Sequence, residues 1–266
     1  MSQPFFVLLL LLISLFATDV VHSQTALTTR SLPYCGVSKD KCSRIIELID
    51  LKRDRFVVSF VTGSRSKPTS ADSRTYLDSL VGFATKSGAV GVFSAGFYRD
   101  PWIAQPFGGF KVNGVLISKV LDYPESSFIC EANGNLSITR SSAEFALRET
   151  CMQTGPTIYQ DGRSPRDLSV EAGGRFNFKL FYRQERRILL VTFESGDAAI
   201  LVARQHSYSE VQAFLKEIST QDNRVKYAVG LSGGTWSGYI IRTPNSPILV
   251  GNTRAAIPNA FLVFQK

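Results

Sequence analysis

Histidine is scarce in this sequence: only His22 and His206 occur in 266 residues. Cysteine is limited to Cys35, Cys42, Cys130 and Cys151, and no two of them are closely spaced. Together these shortages exclude the common zinc modules, which need tetrahedral sets of Cys and His at short intervals. No metal or cofactor motif is expected. After residue 16 no apolar run is long enough to cross a bilayer, so no membrane span is expected once the N-terminal segment is removed. Internal repeats, low-complexity tracts and linker-like stretches are absent as well, which points to one domain.

The exception in hydropathy is at the start. Residues 5–16 (FFVLLLLLISLF) form a run of twelve apolar residues, too short to span a membrane comfortably. A polar break at Asp19 follows, and then Val21-His22-Ser23, a small-residue exit suited to signal peptidase. Residues 1–23 therefore read as a signal peptide cut before Gln24, although no Lys or Arg precedes the apolar core. The expected location is secreted or in the lumen of the secretory pathway. Residues 24–55 form an N-terminal segment, and residues 56–266 the main domain.

An oxidising compartment fits four cysteines, which sequence alone can pair in three ways. The local choice, Cys35 with Cys42 and Cys130 with Cys151, closes two short loops and is the preferred one. Asn135-Leu136-Ser137 is a glycosylation sequon in a turn-like stretch. The formal charge of +8 rises to +9 on removal of residues 1–23, because only Asp19 is lost. A basic balance favours anionic partners such as sugar phosphates and acidic glycans. The charges are dispersed, with their densest group at Arg183, Arg186 and Arg187, and no basic stripe or recognition helix suggests nucleic acid.

Along the chain, short β-rich runs alternate with turns. Asn113-Gly114 between residues 110–112 and 115–117 is the strongest hairpin signal, and Asn133-Gly134 and Asp161-Gly162 mark further turns. Helical spacing appears at Tyr76, Leu77, Leu80, Val81 and Ala84, closed by Ser87-Gly88. A short helix is expected over 142–148. Ser207 with Glu210 opens another helix as a capping box. Residues 42–49 read as a short helix or the lead into a strand. Residues 176–182 and 188–193 read as a strand pair joined by a charged turn at 183–187. Many short strands with about three helices make a mixed α+β domain, not a regularly alternating one.

Three glycine-containing loops are the candidates for chemistry. Leu231-Ser232-Gly233-Gly234-Thr235-Trp236-Ser237-Gly238 follows a buried strand, and paired glycines let backbone amides approach an anion. Ser94-Ala95-Gly96-Phe97-Tyr98 and Gln153-Thr154-Gly155-Pro156 also end apolar elements and are expected to meet it at one sheet edge. His206 lacks an evident catalytic partner, and Asp161 is explained by its turn.

The blocks SAGFY (94–98), PFGGFKVNGVLI (106–117), QTGPTIYQDGR (153–163), GGRFNFKLFY (173–182), HSYSEVQAFLKEI (206–218) and VGLSGGTWSG (229–238) resemble, in order and character, the phosphodiester glycosidase domain family. The resemblance runs over about 56–264. It implies hydrolysis of a sugar phosphodiester and a carbohydrate or sugar-phosphate ligand. It places Ser94, Arg175 and Ser232 at catalytic positions, with Gly96, Phe97, Gln153, Thr154, Gly155, Gly233, Gly234 and Ser237 lining the substrate. This sequence departs from the family at two of them, with Ser94 for Asn and Ser232 for Asp. A serine hydroxyl is a poor proton donor at neutral pH. The resemblance is therefore also compatible with a catalytically inactive member that binds glycans or sugar phosphates. An unrelated secreted interaction protein or toxin is the third alternative.

Overall fold

The structure is a computed structural model, described here for residues 27–33, 45–62, 78–98, 106–123, 125–163, 181–254 and 256–266. The signal segment, Cys35, Cys42 and Arg175 lie outside these residues.

Three antiparallel sheets form the domain, which is mixed α+β and mostly sheet. The first has six strands in the spatial order Thr29–Pro33, Ile45–Leu51, Ala198–His206, Glu185–Phe193, Val225–Gly233 and Thr157–Gln160. Its central strands carry the unbroken apolar runs ILLV (188–191) and AILVA (199–203), the pattern of strands buried on both faces. Alternate residues go to opposite sides. Ile188, Leu190, Ile200 and Val202 enter the principal core, while Leu189, Val191, Leu201 and Ala203 enter a second one behind the sheet.

The second sheet runs Asn135–Thr139, Ser127–Ala132, Thr150–Thr154, Phe110–Val112 and Val115–Ser118. The third runs Ile248–Gly251, Gly238–Ile241, Gly91–Ser94, Asn259–Gln265 and Phe56–Thr62. Phe93, Tyr239 and Phe261 from the third sheet and Phe110, Ile129 and Met152 from the second close the principal core against the first.

Each sheet has one helix on its outer side. Helix α1 (Leu80–Ser87) starts at Ser79, whose hydroxyl accepts from Gly82 N at 3.0 Å, and stops at Gly88 with φ +72°. It packs Leu80, Phe83 and Ala84 on the third sheet. Helix α2 (Ser142–Leu147) packs Phe145 against Phe128 and the cysteines of the second sheet. Helix α3 (Tyr208–Ile218) opens with the expected Ser207/Glu210 capping box and buries Tyr208, Val211, Phe214 and Leu215 on the first sheet. Full burial of each large apolar side chain contributes about 1.5–3 kcal/mol.

Asn113-Gly114, Asn133-Gly134 and Asp161-Gly162 all hold two successive positive φ angles, as two-residue hairpin turns require. Residues 45–51 are a strand. The expected pairing of 176–182 with 188–193 is not found. Phe181 and Tyr182 are helical, and Glu185–Phe193 pairs instead with Ala198–His206 and Val225–Gly233. Arg186 and Arg187 are thus strand residues, not a turn. The alternation of aromatic and polar residues at 176–182 imitates a strand, but the sheet already fills both edges of Glu185–Phe193. Residues 176–180 lie outside the described residues.

Cys130 and Cys151 are directly opposed in the second sheet, with Cα atoms 4.1 Å apart, and form a disulfide. This is the local pairing for these two. Asn135 is exposed, immediately after the Asn133-Gly134 turn.

Candidate functional site

The three glycine loops are the points where the chain leaves one sheet for another. Thr150–Thr154 passes through Gly155 and Pro156, joined by a cis peptide, into Thr157–Gln160 of the first sheet. Val225–Gly233 passes through a single 3-10 turn, Gly234–Trp236, into Gly238–Ile241 of the third. Gly91–Ser94 leads through Ala95 and Gly96 to the short strand Phe97–Tyr98.

Direct bonds tie these exits together. Thr154 Oγ1 donates to Gly230 O at 2.5 Å, and Gly230 N donates to Pro156 O at 3.0 Å. A Cβ on Gly230 would stand 2.7 Å from Gly155 O, so the approach requires glycine. Gly238 N donates to Ser94 Oγ at 3.1 Å, which fixes the far end of the loop to the third sheet. A Cβ on Gly96 would meet Met152 Sδ at 3.1 Å, beside Gln153.

Not every sequence candidate presents a polar group to this junction. Gln153 is buried, and its amide makes four hydrogen bonds within the protein. Oε1 accepts from Gly109 N at 2.8 Å and Leu121 N at 2.9 Å, while Nε2 donates to Leu121 O at 2.8 Å and Ser126 Oγ at 2.9 Å. The void bordered by Gln153, Tyr123 and Gly155 is about 10 Å³, room for no more than one water. Ser237 is buried, with Oγ donating to Gly234 O at 2.7 Å. Ser232 is buried in its strand opposite Ile188, at a bulge in the pairing.

The charged groups beside the loop come from residues 183–187. Arg187 lies opposite Gly233 in the sheet, and a Cβ on Gly233 would be 3.1 Å from Arg187 Nη1. The side chain is 1% exposed. Its guanidinium sits 4.1 Å from the centroid of the Tyr208 ring, Nη2 donates to Arg183 O at 2.9 Å, and Nη1 is 3.3 Å from Glu185 Oε2. Glu185 also pairs with Arg183, and its Oε2 would be 3.5 Å from a Cβ on Gly234. Arg186 donates instead to Ser237 O at 3.1 Å.

Two tyrosines complete the cluster. Burial pushes the Tyr208 phenol above its ordinary value, with Arg187 partly offsetting the shift. Burial also raises Tyr123, reinforced by Glu125 and by the proximity of Tyr208. His206 stands opposite Glu185 in the sheet, fully buried, with Nδ1 2.7 Å from Arg204 O. The sequence marked the Arg183, Arg186 and Arg187 group as its densest basic cluster, but not Glu185, Tyr208 or Tyr123 as members of the site. The signal was present in residues 183–187 and was obscured by their reading as a turn.

Among the described residues no three His, Cys, Asp or Glu side chains converge in a way that would hold a metal ion. No helix among them is long and apolar enough to cross a membrane.

Chemically, the junction offers a buried, planar cation, a carboxylate bonded to it, and a glycine loop whose amides can approach an anion closely. No family model matches the sequence, and no curated protein matches it. Solved structures do. The zebrafish N-acetylglucosamine-1-phosphodiester alpha-N-acetylglucosaminidase catalytic domain, auto-inhibited by its pro-peptide, is similar with a TM-score of 0.67 at 14% identity, over 92% of this chain and 86% of that one. A hypothetical protein from Synechocystis is similar with a TM-score of 0.63 at 13% identity, over 91% of this chain and 62% of that one. At such identities the likeness is one of fold: the chain shares a distant structural relationship with a phosphodiester glycosidase catalytic domain.

Proposed function

We propose that this chain binds a sugar phosphodiester or sugar phosphate, with the phosphate against Arg187 and the amides of the Gly233-Gly234 loop. The observation that carries the reading is Arg187 itself, a buried guanidinium stacked on Tyr208 and adjoining Gly233. Its Nη1 and Nη2 already engage Glu185 and Arg183 O, so its charge acts on the phosphate across the loop while the loop amides make the direct bonds. The fold likeness to a phosphodiester glycosidase supports a sugar on the other side of the phosphate.

In this reading Gln153 is a positioning residue. Its amide holds Gly109 and Leu121 beside the Gly155 loop, and it acts on ligand only through that loop. Ser94 does the same for Gly238. Phe97, Gly96, Thr154 and Gly234 border the ligand, and Arg175, outside the described residues, is assigned to phosphate binding on the sequence resemblance alone. The protein is exported, with cleavage before Gln24 and a glycan on Asn135.

A second reading, hydrolysis, is favoured by Glu185, whose carboxylate lies against Gly234. Ser232 alone supplies neither a proton donor nor a charge for a developing cation. The phosphate leaving group needs less acid help than an alcohol, so one carboxylate near the anomeric carbon suffices to stabilise positive charge.

The test is binding and turnover of an N-acetylglucosamine phosphodiester by purified mature protein, Glu185→Gln and Ser232→Asp. Saturable binding without turnover by the wild type, with turnover gained in Ser232→Asp, identifies a binding protein derived from an enzyme. Turnover by the wild type that Glu185→Gln abolishes supports hydrolysis. Neither binding nor turnover in any of the three overturns both readings.

A further inference from the structure

On the outer side of the third sheet, helix α1 and the edge strand Ile248–Gly251 stand apart and leave a cavity of about 390 Å³. That is within the range of small-molecule sites, roughly 300–1,000 Å³. It shares no lining residue with the glycine junction. Its apolar lining comes from buried Ile240 and Ala84 and from Val81, Leu249 and Pro247. Leu249 is 52% exposed and Val81 is 39% exposed, so apolar surface continues to the mouth.

The charge that the described residues bring to this cavity has one sign. Among the described residues Arg242 is the only ionisable one lining it. The Arg242 guanidinium is anchored through Nη2, which donates to Ala84 O at the C-terminal end of α1. A guanidinium has five N–H donors, and no carboxylate among the described residues pairs with this one. The acid on the neighbouring segment, Asp78, is bound to Lys86 at 2.6 Å. The hydroxyls present are already donors, Thr85 to Val81 O at 2.8 Å and Thr243 to Ser246 O at 2.5 Å.

We infer that this cavity binds an apolar carboxylate, with an alkyl or aryl body on Val81, Ile240 and Leu249 and its carboxylate on Arg242. Charge complementarity selects the anion over a cation or a neutral molecule. The apolar lining disfavours a sugar, whose many hydroxyls would lose water without gaining partners. The site is independent of the glycine junction, and each can fail without the other.

The test uses calorimetric titration of the full mature chain with decanoate and with decanol, which share the apolar body and differ in the charge. One saturable decanoate site per chain is expected, with decanol weaker by about tenfold or more. In Arg242→Gln the two ligands become equal. In Thr85→Trp, a change on the exposed side of α1 that fills the cavity, both are lost. Equal affinity for decanoate and decanol in the wild type overturns the proposal. So does unchanged binding to Thr85→Trp, or the absence of a saturable site. Should Arg242→Gln fail to fold, the wild-type pair of ligands and Thr85→Trp decide the matter alone.

Discussion

The Arg187 guanidinium lies 4.1 Å from the centroid of the Tyr208 ring, where the strand Glu185–Phe193 meets the first turn of α3. That contact joins two features of the sequence that are far apart in the chain, a charged segment and a capped helix. It holds a buried positive charge beside the Gly233-Gly234 loop. A cation in such a place is stable only because Glu185 and the Arg183 carbonyl satisfy it.

Gln153 is expected to matter to folding and not directly to ligand. Gln153→Leu removes four hydrogen bonds and leaves the Gly109 and Leu121 amides without their acceptor. The expected loss in urea unfolding is about 3 kcal/mol, since each buried unsatisfied group costs roughly 1–3 kcal/mol. Sugar-phosphate affinity per folded molecule should stay within a few-fold of wild type. A variant that folds normally and loses ligand would reverse this assignment.

Gly230 tests the contact between the strand Val225–Gly233 and the Gly155 loop. Gly230→Ala puts a Cβ within 2.7 Å of Gly155 O and 3.1 Å of Tyr208 Oη. The first contact is with backbone, which cannot rotate away. The expected cost is about 1–3 kcal/mol, as for overpacked cores, read as a fall in Tm. An unchanged Tm would show that strand and loop are not held together as described.

The disulfide between Cys130 and Cys151 closes 21 residues of sequence separation. Replacing both by Ala is expected to destabilise by about 3 kcal/mol, mainly through the unfolded state. Iodoacetamide labelling of the unreduced, denatured protein should leave both cysteines unmodified. Labelling of either one would contradict the pairing.

Three tyrosines, Tyr208 and Tyr239 buried and Tyr123 half-buried, set the alkaline limb of stability. Burial raises Tyr123, Tyr208 and Tyr239, and Tyr239 is raised further by donating to Glu47 Oε2 at 2.7 Å. A raised folded value means the folded state keeps protons that the unfolded state releases. Their contribution is therefore complete below about pH 10, the ordinary tyrosine value, and is lost as pH rises above it. Phenolate absorbance should show Tyr208 and Tyr239 ionising only together with unfolding. Reversible ionisation of all tyrosines near pH 10 in folded protein would contradict the burial.

Local chemistry carried much of the fold into the sequence. Asn113-Gly114, Asn133-Gly134 and the Ser207/Glu210 box specify backbone angles or bonds within a few residues, so they are legible without tertiary context. The Gln153–Pro156 loop was legible for a related reason, because glycine marks close backbone approach at Gly155. Residues 183–187 were not. Four charges in five positions imitate an exposed turn, and only the neighbouring strands show that Arg187 is buried. Gln153 illustrates the same limit from the other side. A buried amide reads identically in sequence whether it faces ligand or protein, and here four protein partners surround it.

Arg187 is proposed to hold phosphate at the glycine junction. Calorimetric titration of the mature protein with N-acetylglucosamine 1-phosphate and with N-acetylglucosamine, repeated on Arg187→Lys, tests it most directly. The phosphate is expected to strengthen binding by about tenfold or more in the wild type. Arg187→Lys keeps the charge but loses the planar stack on Tyr208, and should abolish most of that advantage. Equal affinity for the two ligands in the wild type, or an undiminished phosphate preference in folded Arg187→Lys, would contradict it.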